Sequence, residues 1–170
     1  KIIQIIRQDT MRKKSVIWLI IGSGIYWFVL QMLVAVWGTR LSTTFLMKCD
    51  FCFKSFAFER EGDFWNDVFQ VKRWKDHLPK GHRLNPAIYN KSTLMAQPSA
   101  QDIYDFIIET RRAEFVHGIA MLPMFVFLAA PKYIKIPHMT YALLANLPCM
   151  IVQRYNRPKL ERYYHKLKNR

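Results

Sequence analysis

Two short stretches of this chain carry the residue types that chemistry at a carbonyl group needs. In ETRRAEFVHG, residues 109–118, Thr110, Glu114 and His117 recur at i, i+4 and i+7. On a helix they share one face. A carboxylate three residues from an imidazole is near enough to hydrogen-bond it, which fixes the ring and strengthens it as a general base. In PCMIVQRYNRPKL, residues 148–160, an apolar run leads straight into Gln153, Arg154, Asn156 and Arg157. Lysines would serve for a simple snorkelling anchor, whereas guanidinium groups add a rigid donor fork that fits carboxylate or phosphate oxygens. Together the stretches read as a base, His117 oriented by Glu114, beside donors for an oxyanion or an acceptor, Gln153, Arg154 and Asn156. Plainer readings stand next to these. Glu114 is equally suited to a structural ion pair with Arg111 or another arginine, and the arginines to anchoring a helix end at an interface.

The elements that must bring these residues together are apolar. Val16 to Trp37 contains no charge and as a helix reaches about 33 Å, enough for a hydrocarbon core of about 30 Å. Arg12, Lys13 and Lys14 precede it, as in a secretory signal. The run is longer than a signal's apolar region and ends at a poor cleavage site, so it reads as an uncleaved anchor. Phe115 to Ala130 and Ile136 to Val152 are two further apolar blocks, linked by PKYIK and interrupted at Pro123 and Pro148. They read as an antiparallel hairpin, which would carry Glu114 and the Gln153–Arg157 stretch to the same end. Pro158 disfavours helical geometry at Arg157, so the helix is predicted to stop there, with KLERYYHKLKN as a separate basic amphipathic helix.

Between anchor and hairpin, DFWNDVFQVKRWKDHL (63–78) has helical spacing, with Phe64, Val68, Val71, Trp74 and Leu78 on one arc. Its tryptophans and lysines suit either the headgroup layer or packing on protein. LPKGHRLNP reads as turns. Ser99 followed by Asp102 is a capping-box start for a helix that continues into the second apolar block. The predicted fold class is a mostly α, small integral membrane protein forming one unit over 1–170. It comprises a membrane helix over 16–37, an interfacial and loop section over 38–114, a membrane hairpin over 115–152 and a basic tail over 153–170. With lysine at position 1, the chain reads as starting inside a longer one.

Among 170 residues, the formal net charge of +14 accompanies 51% hydrophobic content. Such a balance points to nucleic acid or to an anionic membrane. The charges flank apolar blocks rather than interleave with aromatics along a groove, so membrane is the expected partner and nucleic acid is not. Three full crossings put the section 38–114 and the tail on one side, cytoplasmic by the positive-inside tendency, yet the Arg12–Lys14 cluster argues for a cytoplasmic N-terminus. A fourth dip near 45–58 or a non-spanning first helix would reconcile them. Cys49 and Cys52 form a CxxC without a second ligand pair, so no metal is expected. The chain has no GxSxG, P-loop or HExxH, and no histidine followed by aspartate five positions later. An enzyme here uses a less common constellation.

The blocks GTR (38–40), FKSFAFEREGDFWNDVF (53–69), VKRWKDHLP (71–79), IIETRRAEFVH (107–117) and ANLPCMIVQRYNRPKL (145–160) resemble the glycosyl-4,4'-diaponeurosporenoate acyltransferases in order and spacing. The resemblance implies a membrane enzyme of staphyloxanthin-type carotenoid biosynthesis. Such an enzyme esterifies a fatty acyl group onto the glucose 6-hydroxyl of a glycosylated C30 carotenoid acid, the closing step at the bacterial cell membrane. It implies lipid substrates and an acyl donor as co-substrate, acyl-CoA or an acyl carrier protein, without a bound cofactor. It assigns no catalytic residues. On the residues themselves, His117 with Glu114 is the expected base, and Gln153, Arg154 and Asn156 the expected oxyanion donors. Arg157, Arg73 and Lys75 are the expected partners of the donor's phosphates or of a carrier's acidic face. Acyl transfer to another lipid-linked hydroxyl or amine, or a non-catalytic lipid-binding subunit, are the alternatives. Oligomeric state is left open.

Overall fold

A run of apolar side chains enters hydrocarbon most readily as a helix, because the helix satisfies its own backbone groups. The charge-free run lies inside helix α1, Ile2–Thr39. The computed structural model describes residues 2–78 and 98–169, and all regular structure among them is helical. From Lys14 onward the side chains of α1 point outward on nearly every side, with Trp18 70% exposed. A water-soluble chain does not present so large an apolar surface. Lys14–Thr39 and Ala100–Ala129 are both long and apolar enough to cross a membrane.

Helix α6, Ala100–Met121, starts at the capping box predicted for it: Ser99 Oγ accepts from the Asp102 N–H and the Asp102 carboxylate accepts from the Ser99 N–H. It tightens into a 3₁₀ stretch over Leu122–Ala129, which contains Pro123. The chain then turns at Ala130–Pro131 and returns as α7, Lys132–Lys168. The link is therefore shorter than PKYIK, most of which is already helical.

The predicted stop at Arg157 does not occur. α7 runs on through Pro137, Pro148 and Pro158, although an interior proline costs a helix about 3 kcal/mol. Tertiary contacts outweigh that cost, because Tyr155, Arg157 and Pro158 are buried against other elements. The tail helix expected after Pro158 is the last part of α7.

His117 meets Asn146, and Thr110 meets Arg157, so α6 and α7 run antiparallel. α1 packs with Gly38 against Val116 and Trp27 against His138. A Cβ at Gly38 would stand 2.3 Å from Val116 Cγ2; the missing side chain is what lets α1 and α6 approach. One end of the bundle therefore gathers the C-terminus of α1, the start of α6 and the end of α7.

A cap of short helices covers that end: α2 (Thr43–Lys48), α3 (Asp50–Phe53), a 3₁₀ turn (Ala57–Gly62), α4 (Asp63–Phe69) and α5 (Val71–Trp74). The stretch 45–58 lies in this cap and forms no crossing of its own. The single helix predicted over 63–78 is broken at Gln70, which takes a left-handed φ of 52°. Asn66 Oδ1 accepts from the Lys72 N–H and Trp74 Nε1 donates to the Phe69 carbonyl, which stabilises the break. The break allows Trp65, Trp74 and Leu78 to pack together around Val71, Ile151, Val152 and Tyr155. Most of the turn-rich stretch LPKGHRLNP lies outside the described residues. Gly62, at φ 95°, approaches α7 so closely that a Cβ would sit 2.7 Å from the Tyr155 carbonyl oxygen. Only glycine fits there.

Candidate active site

Four charged side chains from three elements converge where cap and hairpin meet. Arg154 Nε donates to Glu114 Oε1 at 2.6 Å, and Arg157 Nη2 donates to Glu114 Oε2. Glu59 from the cap's 3₁₀ turn joins them at 3.4 Å from Arg154 Nη1, while accepting from Trp65 Nε1 and the Phe56 N–H. Both glutamates and Arg157 are buried, Glu59 and Arg157 to 1% exposure. Two cations and two anions balance, which is what makes such burial tolerable. The convergence of Glu114 with Arg154 and Arg157 is therefore real, but it is a packed ion cluster, with no open hollow between its members.

The arginines have little capacity left for a ligand. Arg154 also donates to the carbonyls of Lys54 and Cys52, and Arg157 to Thr110 Oγ1, the Thr110 carbonyl and the Phe53 carbonyl. A buried guanidinium so engaged cannot reach the phosphates of a donor, which corrects the expectation for Arg157. The oxyanion role expected of Arg154 is weakened for the same reason. Burial lowers Arg157 from the ordinary arginine range, and the Glu114 carboxylate opposes the change. Nearby, Arg111 reaches Asp50 at 2.6 Å and Glu161 at 3.7 Å. Burial pushes the Glu161 carboxyl up, against the pull of Arg157 and Arg111.

Glu114 does not orient His117. Its oxygens serve the arginines, and His117 Nδ1 instead meets Asn146 Oδ1 across the hairpin at 2.9 Å. Asn146 is fully buried and its Nδ2 donates to the Ala142 carbonyl at 2.9 Å. Gln153 follows Asn146 by seven residues and so lies two turns along the same face of α7. Gln153 and Asn156 are half-buried and their side chains make no hydrogen bond among the described residues. Arg73 is exposed and bonded to Gln70 Oε1, while Lys75 lies 5.5 Å from the Tyr155 ring.

Comparison with known sequences adds the chemistry. The sequence profile of the glycosyl-4,4'-diaponeurosporenoate acyltransferases matches residues 49–166. Proteins carrying that name in Staphylococcus aureus strains bovine RF122 / ET3-1 and MRSA252 are each 42% identical over 147 residues, covering 86% of this chain and 88% of theirs. The protein of that name in strain Newman is 41% identical over the same length. The chain belongs to this family. It is accordingly an acyltransferase, and the matched region contains every residue of the cluster and of the His117–Asn146 pair. No solved structure matches it.

Two shallow apolar grooves run along α1, one of about 280 Å³ lined by Leu33, Val34, Trp37 and Ile119, the other of about 370 Å³ between Ile25 and Leu33. The first lies between α1 and α6 and the second is lined by α1 side chains, whereas His117 meets α7. Residue reasoning missed Asn146 and Glu59. Asn146 had a signal, since an amide inside an apolar block is costly unless it is bonded. Glu59 had none, because its burial depends on how the cap folds over α7.

Proposed function

We propose that this acyltransferase joins a fatty acyl group, delivered as a thioester, to the glucose 6-hydroxyl of a glycosylated C30 carotenoid acid. The observation that carries the reading is the placement of His117. Arg112 Nη1 donates to the carbonyls of Gly38 and Leu41, where α1 ends, so the edge of the apolar layer lies near Arg112. His117 is five residues further along α6, about 7.5 Å into the layer. A lipid-linked sugar hydroxyl reaches that depth, and bulk water is scarce there.

His117 Nε2 takes the hydroxyl proton as the oxygen attacks the acyl carbonyl carbon. The C–O bond forms, the tetrahedral oxyanion collapses, the C–S bond breaks, and the departing thiolate takes the proton back from Nε2. Gln153 and Asn156 lie about 10 and 15 Å along α7 from Asn146, so of the two expected oxyanion donors Gln153, with its side chain unbonded among the described residues, is the nearer to His117. The exposed Arg73 and the half-buried Lys75 on the cap are the cations assigned to acyl-CoA or an acyl carrier protein. The basic tail, and the cap with its Lys and Arg residues, then face the cytoplasm, where such donors are made.

The test is turnover by purified protein in nanodiscs with glycosylated carotenoid and acyl-CoA. His117→Ala is expected to lose about a hundredfold or more in kcat while still folding, with only the modest drop in unfolding temperature that follows from leaving Asn146 Oδ1 without its partner. Near-normal turnover removes the base. Mass spectrometry of pigments from cells with and without the chain checks the acceptor, and an acylated product other than a glycosyl carotenoid redirects it to another hydroxyl or amine.

A further inference from the structure

We propose that Asn146 is the positioning residue for His117: it selects the imidazole tautomer protonated on Nδ1 and leaves the Nε2 lone pair free for the acceptor hydroxyl. The proposal rests on His117 being the base. Its independent ground is the hydrogen-bond pattern on α7. The Ala142 carbonyl can only accept, so the Asn146 group facing it at 2.9 Å must be the amide nitrogen. That orientation turns Oδ1 toward His117 Nδ1, 2.9 Å away. An amide oxygen can only accept, so in the neutral ring Nδ1 carries the hydrogen. Asn146 is fully buried, so its amide has no room to turn and no water to substitute for either partner.

The second imidazole of the bundle shows the opposite arrangement. His138 Nδ1 receives the Trp27 Nε1 hydrogen at 2.9 Å, so its own proton sits on Nε2 and is directed at Ser23 Oγ, 3.2 Å away. That ring cannot deprotonate Ser23. It also stacks on Phe127 at 3.8 Å and serves as a polar staple between α1 and α7. Ser23 is thereby left without a base in His138. The two histidines differ in what their neighbours allow them to accept, and among the described residues the one beside Asn146 keeps its basic nitrogen unspent.

The experiment uses the full chain in nanodiscs, with ¹⁵N-labelled histidine read by NMR alongside steady-state kinetics. In the unmodified protein His117 is expected to show the Nδ1–H signature; an Nε2–H signature overturns the proposal without any variant. Asn146→Leu is expected to lower kcat on the order of tenfold to a hundredfold with KM little changed, and to populate both tautomers. Asn146→Asp, which still accepts from Nδ1, is expected to restore the Nδ1–H signature and most of the turnover. Asn146→Leu with unaltered kcat, or Asn146→Asp no better than Asn146→Leu, overturns the proposal. Loss of activity in His117→Ala together with full activity in Asn146→Leu would sink the positioning role alone. Full activity in His117→Ala would sink the base itself.

Discussion

At the scale of single residues, the protein separates charge from chemistry. Glu114 has the residue type of a catalytic carboxylate but is held between two arginines whose remaining donors go to Thr110 and to cap carbonyls. Its removal leaves two guanidinium groups in a buried site with only Glu59, 3.4 Å from Arg154, to compensate them. Glu114→Gln is therefore expected to destabilise the protein by about 3–5 kcal/mol, seen as a large drop in unfolding temperature in detergent, while His117→Ala, which breaks one neutral hydrogen bond to Asn146, lowers it less. Equal stability of Glu114→Gln and the parent would show that the cluster is not structural. Glu161 supplies a pH dependence. Its ordinary value is near 4.5 and burial raises it, with Arg157 and Arg111 opposing, Asp50 adding to the rise and His165 opposing it. A carboxyl whose folded value lies above its unfolded one favours the fold when protonated, and that contribution is lost as pH climbs from about 4.5 through the folded value. Unfolding temperatures of Glu161→Gln should accordingly fall less between pH 4.5 and 7.5 than those of the parent.

At the scale of elements, close backbone approach sets the geometry. α1 reaches α6 because Gly38 has no side chain opposite Val116, and that contact aligns the end of the apolar layer with Arg112. Gly38→Ala is expected to destabilise the bundle by about 1–3 kcal/mol through overpacking. Val116→Ala in the same chain should recover most of the loss, a coupling that a double-mutant cycle on unfolding free energies measures directly. Additive losses would mean that the two positions do not meet. The kinked cap and the continuous α7 are linked in the same way. The break at Gln70 and the left-handed Gly62 let the cap follow α7 past Pro158, where its carbonyls hold Arg154 and Arg157.

At the scale of the whole molecule, three long helices carry the cap and the basic tail to one end and the Ala130–Pro131 turn to the other. Cys52 is exposed on the cap, whereas Cys49 and Cys149 are half-buried. If the cap faces the cytoplasm, a membrane-impermeant maleimide should label the protein in inside-out vesicles and not in intact cells, with Cys52→Ser removing the signal. Labelling of intact cells would reverse the orientation and place a thioester donor on the wrong side.

Helical class, the apolar blocks, the capping-box start at Ser99 and the family blocks were legible from the sequence, because each depends on neighbours within a few turns. So was the convergence of Glu114 with Arg154 and Arg157, since an antiparallel hairpin with charges at matching ends leaves them few other partners. The partner of His117 was not legible, nor the burial of Glu59, nor the survival of α7 through three prolines. These depend on contacts between residues far apart in the chain: Asn146 reaches His117 across the hairpin, and Glu59 reaches Arg154 only once the cap lies on α7. Local spacing offered His117 a carboxylate three residues away. Tertiary packing gave that carboxylate to two arginines, whose buried charges need it more than a neutral imidazole does, and left the ring to an amide.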